Sequence, residues 1–138
     1  MRFMLIRKAD AETEAGIIPS PAFMQAMQAY NEEMAAAGVF LQGEGLRASS
    51  LGARVTITGA PTITDGPFTE TKELIAGFTM IQARSLEEAK AWVRRWPAID
   101  QGAVIEIRQV FDAEDFGEAL TPELREQEQR LRAQAAKK

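Results

Sequence analysis

Apolar and polar positions along the chain predict strands and amphipathic helices in turn. Residues 2–7 are almost all apolar, which is typical of a strand buried on both faces at the centre of a sheet. The polar stretch at 9–19 predicts a loop. From Phe23 to Ala37 apolar side chains recur at steps of three and four, which predicts a helix that begins after the N-cap residue Ser20.

The second strand, predicted over residues 39–46, contains two glycines. Gly43 and Gly45 fall on one face of this strand, and Phe40 and Glu44 fall on the other, because side chains alternate along a strand. Paired glycines mark either a β-bulge or close backbone approach, or else a place where a ligand reaches the strand. The pattern leaves these alternatives open.

The later elements follow from the same reasoning. Alternating residues predict further strands at 54–58, 62–64, 76–83 and 104–111. The first two of these strands form a hairpin. Ser85 and Glu88 make a capping box, which predicts the start of a second helix. In the last strand Ile105, Ile107 and Phe111 are predicted to face inward.

This order of elements approaches the split βαβ arrangement of ferredoxin-like α+β folds, with an extra hairpin strand. Two helices on one face of an antiparallel sheet leave the other face uncovered, which predicts a homodimer. An acidic linker at 112–117 and a third helix from Thr121 follow. The narrow leucine stripe of that helix predicts that it leans on the domain or on a partner subunit. We therefore divide the chain into a domain at 1–111 and a C-terminal segment at 112–138.

Composition narrows the classes of function. The 138 residues carry a net charge of −4, so there is no basic surface for nucleic acid or an anionic membrane. The chain has no cysteine and no histidine, which excludes disulfides and thiolate nucleophiles, and we predict no metal and no cofactor. No apolar run approaches the ~20 residues of a membrane span, and the apolar start before Arg7 is too short for a signal peptide. We expect a cytoplasmic protein.

The segment at residues 64–73 concentrates turn-forming and charged residues. Asp65 and Gly66 favour a tight turn, because the carboxylate accepts bonds from backbone N–H groups and glycine tolerates a positive φ. Pro67 fixes its own φ, and Phe68 is predicted to enter a core. The charged residues that follow either form a solvated patch or line a polar pocket whose floor is the turn. They are Glu70, Lys72 and Glu73.

These residues resemble the signature of the DGPF proteins, which belong to the YCII-related family. The centre of the signature lies at residues 65–68, which we call the DGPF turn. The resemblance covers about residues 1–111 and its matches occur in order along the chain. Further matches are Met4-Leu5-Ile6, Met34, Gly38-Val39, Gly43-Glu44-Gly45-Leu46, Glu70, Lys72-Glu73, Gly77-Phe78 and Glu106-Ile107-Arg108.

The resemblance implies a ferredoxin-like fold that dimerises into an α/β barrel, and a biochemical function that is largely uncharacterised. Relatives with better-defined pockets are thought to use a His–Asp pair for acid/base work, and this chain has no histidine to supply it. DGPF proteins are often encoded beside extracytoplasmic-function sigma factors, and the resemblance therefore implies a regulatory role as one alternative. Because the acidic chain has no DNA-binding motif, such a role would act through a protein partner or a metabolite.

We predict a small-molecule pocket near the DGPF turn. Its polar candidates are Asp65, Glu44, Glu70, Lys72 and Glu73. The missing histidine favours a binding or accessory protein over a catalyst. The alternative is an enzyme that uses carboxylate acid/base groups near the turn on an unknown small substrate. A purely structural dimer is the third class.

Overall fold

A computed structural model of the chain describes residues 1–137. Its elements in chain order are β1 (Arg2–Lys8), α1 (Ala11–Glu14), α2 (Pro21–Ala36), β2 (Phe40–Gly45), β3 (Ala53–Thr56), β4 (Thr62–Asp65), β5 (Ile75–Gln82), α3 (Leu86–Val93), β6 (Ile105–Gln109) and α4 (Pro122–Ala136). Short 3₁₀ segments lie at Ser49–Leu51, Thr71–Glu73 and Ala113–Ala119. No helix in this described part of the chain is long and apolar enough to cross a membrane.

Four of the strands form one antiparallel sheet in the order β2-β5-β1-β6. With the hairpin set aside, each half of the chain contributes one central and one edge strand, as in the ferredoxin-like fold. The ferredoxin-like prediction is therefore confirmed. Strands β3 and β4 pair with each other and form a separate two-stranded sheet.

The core lies between one face of the main sheet and the helices α2 and α3. Phe3 and Leu5 of β1 and Ile81 of β5 are buried on this face. Tyr30 and Met34 of α2 pack against them. The four-residue step between these two places them on the same side of α2, as the apolar periodicity of the sequence predicts.

Tyr30 links the two helices across this core. Its hydroxyl donates a 2.6 Å hydrogen bond to the carbonyl oxygen of Trp92, and its ring meets that of Trp96 edge-on at a centroid distance of 5.6 Å. Burial raises the pKa of Tyr30 to about 12. The phenol therefore stays protonated at neutral pH and keeps the bond that it donates.

Three helices begin where the capping residues of the sequence indicate. Ser20, Ser85 and Thr121 each accept a hydrogen bond from the backbone N–H three residues further on. The second hydrogen bond of the predicted capping box, from the Ser85 N–H to the Glu88 carboxylate, is replaced by a neighbouring one. The Glu88 carboxylate accepts a 3.2 Å hydrogen bond from the backbone N–H of Arg84 and not from that of Ser85.

A β-bulge accounts for the first glycine of β2. The register shifts between Phe40 and Gln42, so that Phe40 lies opposite Ile81 and packs against the core. The prediction that Phe40 shares a face with Glu44 is therefore wrong, because the extra residue of a bulge reverses the alternation of side chains. A Cβ atom at Gly43 would lie 3.3 Å from the Phe40 ring. Gly43 accordingly leaves room for the Phe40 ring, which the bulge turns toward the core.

The predicted loop at residues 9–19 contains the short helix α1. Its N-cap is Asp10, whose carboxylate accepts a 2.9 Å bond from the Thr13 N–H, while the Thr13 hydroxyl accepts a 2.8 Å bond from the Asp10 N–H. This reciprocal capping stabilises a single turn without any apolar periodicity. A prediction based on periodicity therefore overlooks it.

The chain beyond β6 differs from the sequence prediction at Phe111, which is 65% exposed instead of inward. The strand ends before this residue, and Phe111 stacks on Phe116 with a ring-centroid distance of 4.8 Å. The expected acidic linker forms the 3₁₀ segment Ala113–Ala119.

The leucines of α4 remain largely exposed in the single chain. The division of the chain at residue 111 stays a prediction, and Lys138 lies outside the described residues.

Candidate functional site

The DGPF turn packs against the 3₁₀ segment Ser49–Leu51. The Gly66 N–H donates a 2.9 Å hydrogen bond to the carbonyl oxygen of Gly52, and the Gly66–Pro67 peptide is cis. A Cβ atom on Gly66 would overlap the carbonyl oxygen of Ser49. Gly66 does not have a positive φ. The glycine is therefore required for close approach of two backbones and not for the turn conformation that the sequence suggests.

Ser49 connects the DGPF turn to α1. Its hydroxyl accepts a 3.0 Å hydrogen bond from the Phe68 N–H and donates a 2.8 Å bond to the Glu14 carboxylate. The Ser49 N–H donates to the same Glu14 oxygen at 3.1 Å. Sequence reasoning missed both side chains, because no local pattern signals a contact between residues that are 35 positions apart. Together they fix the position of the turn relative to α1.

Phe68 is half-buried beneath Arg54 and lies outside the main core. The guanidinium carbon of Arg54 is 3.9 Å from the centroid of the Phe68 ring, which is cation–π geometry. The expectation of a core position is therefore wrong. The turn packs on the 3₁₀ segment Ser49–Leu51 and not on the sheet, so its aromatic ring is covered by a hairpin side chain.

All five candidate pocket residues are exposed in the single chain. They are Asp65, Glu44, Glu70, Lys72 and Glu73. A closed pocket lined by these residues would bury at least one of the carboxylates, and none of them is buried in one copy of the chain. Within residues 1–137, no cluster of three or more acidic side chains could hold a metal ion. The assignment of these residues to a site stays a prediction.

The backbone nevertheless brings the candidate segments to one end of the sheet. Gly45 of β2 lies opposite Gly77 of β5, and the Leu46 N–H donates a 2.8 Å bond to the Ala76 carbonyl oxygen. The 3₁₀ segment Thr71–Glu73 comes directly before β5. The end of β2 and the charged segment are therefore neighbours, with the DGPF turn leading into them.

The second face of the sheet is not covered by α2 or α3. It carries a cluster of half-buried apolar side chains, in which Met4 lies opposite Met80 and Ile6 lies opposite Phe78. We call these four residues the open-face patch. Glu44 lies opposite Phe78 on the adjacent strand and borders the patch. The candidate site and the open-face patch thus adjoin.

A buried ion pair lies at the same end of the sheet, where Arg7 of β1 is opposite Gly77 of β5. Two nitrogens of Arg7 donate to the two carboxylate oxygens of Asp100 at 2.6 and 3.1 Å, and the Trp96 indole N–H donates to Asp100 at 3.0 Å. The Asp100 side chain is only 4% exposed. Its hydrogen bond to Arg7 raises the pKa of that guanidinium above the ordinary value. Because both oxygens are already bonded, this cluster braces β1 against the segment after α3 and does not present a free group.

The sheet order and the one-sided helices define a ferredoxin-like α+β protein. The sequence model of the YCII-related domain matches residues 1–114. The chain therefore belongs to the YCII-related family. None of the curated proteins matches it.

A solved structure from Burkholderia phenoliruptrix AC1100 is similar to this chain. It is 5-chloro-2-hydroxyhydroquinone dehydrochlorinase (TftG) in complex with 2,5-dihydroxybenzoquinone, at 20% sequence identity and a TM-score of 0.48. The similarity covers 83% of this chain and 98% of that chain. A likeness at this level leaves the function of this chain to be argued from its own residues.

Proposed function

We propose that the protein is a homodimer that binds a small molecule in a pocket between the DGPF turn and a second copy of the chain. The observation that carries this proposal is the open-face patch of Met4, Ile6, Phe78 and Met80, on the side of the sheet away from α2 and α3. Contiguous apolar surface on a soluble domain marks an interaction site. A second copy offers the same patch under two-fold symmetry, so that each patch covers the other.

The dimer would complete a pocket beside the DGPF turn. Ligand pockets are concave and have a few convergent polar groups, whereas the five candidate residues are exposed to solvent in the single chain. A second copy on the open face would add a wall beside Glu44, which borders the patch. Lys72 then supplies a positive charge among carboxylates, which suits a polar ligand with both donors and acceptors.

Binding is favoured over catalysis because the chain has no histidine, the usual acid/base group near neutral pH. Acid/base catalysis would therefore depend on a carboxylate whose pKa is raised by burial. Glu44, Asp65, Glu70 and Glu73 are all exposed in the single chain. An accessory role beside a sigma factor would act through a protein partner or a metabolite, because the net charge of −4 disfavours DNA. The absence of cysteine fits a reducing cytoplasm.

A screen of small molecules by thermal shift tests this proposal. A compound that binds the native dimer at 100 times its dissociation constant stabilises it by about 2.7 kcal/mol. We expect the stabilising compounds to lose most of their effect in two variants, Lys72→Ala at the turn and Phe78→Glu on the open face. The Lys90→Ala variant, which removes an exposed lysine of α3, is the control and should respond like the wild type.

The pattern across the variants separates the parts of the proposal. A compound whose thermal shift is lost in Phe78→Glu but kept in Lys72→Ala would bind at the dimer interface away from the turn. A shift that persists in both variants would show that the compound binds elsewhere. A library without any stabilising compound would count against the binding function.

A further inference from the structure

A groove lies at the other end of the domain from the DGPF turn, between the end of β6 and α4. Its volume is about 820 Å³, and its walls include Arg2 and Arg108 of the sheet, and Glu128 and Arg132 of α4. This volume falls within the roughly 300–1,000 Å³ that is typical of small-molecule sites. The helix wall lies beyond residue 114, where the match to the YCII-related domain ends. The groove therefore depends on the C-terminal segment of this chain.

One wall of the groove is aromatic. Phe111 and Phe116 stack on each other, yet they remain 65% and 47% exposed. Val110 and Leu120 extend this apolar surface. Two stacked rings that still face solvent offer a planar apolar surface to a ligand, and ring systems pack on such surfaces in offset or edge-on geometry.

The other wall carries positive charge. Arg2 is held by the Phe111 carbonyl oxygen at 3.1 Å and by Asp112 at 3.9 Å, and Arg132 donates to Glu128 at 2.6 Å. Arg108 is different. Its nearest carboxylate is Glu106 at 3.7 Å, which is too long for a strong hydrogen bond, and the Arg108 side chain is 71% exposed. Its planar guanidinium thus keeps donors for another partner.

We propose that this groove binds a small amphipathic monoanion, with its apolar ring on Phe111 and Phe116 and its charged group on Arg108. A guanidinium bonds a carboxylate or sulfonate through two parallel N–H donors, which fixes both the position and the orientation of the anion. Of the three arginines that line the groove, Arg2 and Arg132 already lie beside the carboxylates of Asp112 and Glu128. Arg108 therefore supplies the donors for one anionic group, and the two carboxylates would repel a polyanion.

Fluorescence titration with 1-anilinonaphthalene-8-sulfonate tests the proposal on the full-length protein. This probe has an aromatic body and one sulfonate, so it matches both walls. We expect saturable binding of one probe per chain. The Arg108→Gln variant should bind roughly tenfold more weakly, because a hydrogen bond to a charged group contributes about that factor. The matched control is Arg130→Gln, which removes an exposed arginine of α4 that does not line the groove.

An uncharged analogue, N-phenyl-1-naphthylamine, separates the contribution of charge from that of the aromatic wall. It should bind the wild type and Arg108→Gln equally, and a Phe116→Ser variant should weaken both compounds. Equal binding of the sulfonate by the wild type and Arg108→Gln would overturn the proposal. Non-saturable binding of the sulfonate to the folded wild-type protein would overturn it as well. Arg108 lies opposite Met4 and therefore borders the open-face patch. The mass of Arg108→Gln in solution should equal that of the wild type, and a loss of sulfonate binding that comes with a changed mass would overturn the proposal.

Discussion

Replacing Asp100 with alanine is expected to lower the free energy of unfolding by about 3–5 kcal/mol, the usual cost of removing one partner of a buried ion pair. The substitution leaves the Arg7 guanidinium, whose side chain is 14% exposed, without its main counter-charge. It also removes the acceptor of the Trp96 indole N–H. Equilibrium unfolding in urea measures the loss.

A double variant and a surface control make this result specific. In Arg7→Met combined with Asp100→Leu no buried charge is left unpaired, so we expect it to recover much of the loss. The control Glu87→Ala breaks an exposed pair with Lys90 and should change the free energy of unfolding by less than about 1 kcal/mol. If Asp100→Ala unfolds at the same urea concentration as the wild type, the pair does not brace the fold.

Replacing Gly66 with alanine is expected to lower the free energy of unfolding by about 1–3 kcal/mol, the usual cost of overpacking. The reason is local: the added methyl group would overlap the carbonyl oxygen of Ser49, which belongs to backbone and cannot rotate away. The loss should be accompanied by weaker packing of the DGPF turn, measured as faster amide hydrogen exchange at Phe68.

A second glycine provides the matched control for this substitution. Gly45→Ala places its methyl group in open space and does not meet a positive φ, so it should leave stability nearly unchanged or raise it slightly. If Gly66→Ala has the same free energy of unfolding as the wild type, the DGPF turn and the 3₁₀ segment Ser49–Leu51 can separate at little cost. The DGPF turn would then not be a fixed platform for a ligand.

The fold could be predicted from the sequence wherever a local signal sets the structure. The capping side chains of Ser20, Ser85 and Thr121 determine where three helices begin, and alternation identifies the strands. The predictions that are wrong concern positions where the regular alternation of side chains along a strand is interrupted. A bulge reverses the alternation at Phe40, and β6 ends at Gln109, so the alternation of side chains no longer applies at Phe111.

The interactions around the site could be predicted less well, because they are contacts between distant segments. Glu14 and Ser49 hold the DGPF turn, and Arg7 meets Asp100 across 93 positions of sequence. A single sequence carries no signal for such pairs. It does mark a turn at Asp65 and Gly66, and the structure adds that this turn is anchored by a serine hydroxyl rather than by its own charged neighbours.

The mass of the wild-type protein in solution tests the central claim most directly. Sedimentation equilibrium at micromolar concentration should give twice the chain mass of 15.2 kDa. Phe78→Glu should give the mass of a single folded chain, because it places an unpaired charge in the covered patch. Leu86→Glu, at a residue of α3 that is 44% exposed, should stay dimeric. A wild-type protein that sediments as a single chain would contradict the dimer and the pocket that depends on it.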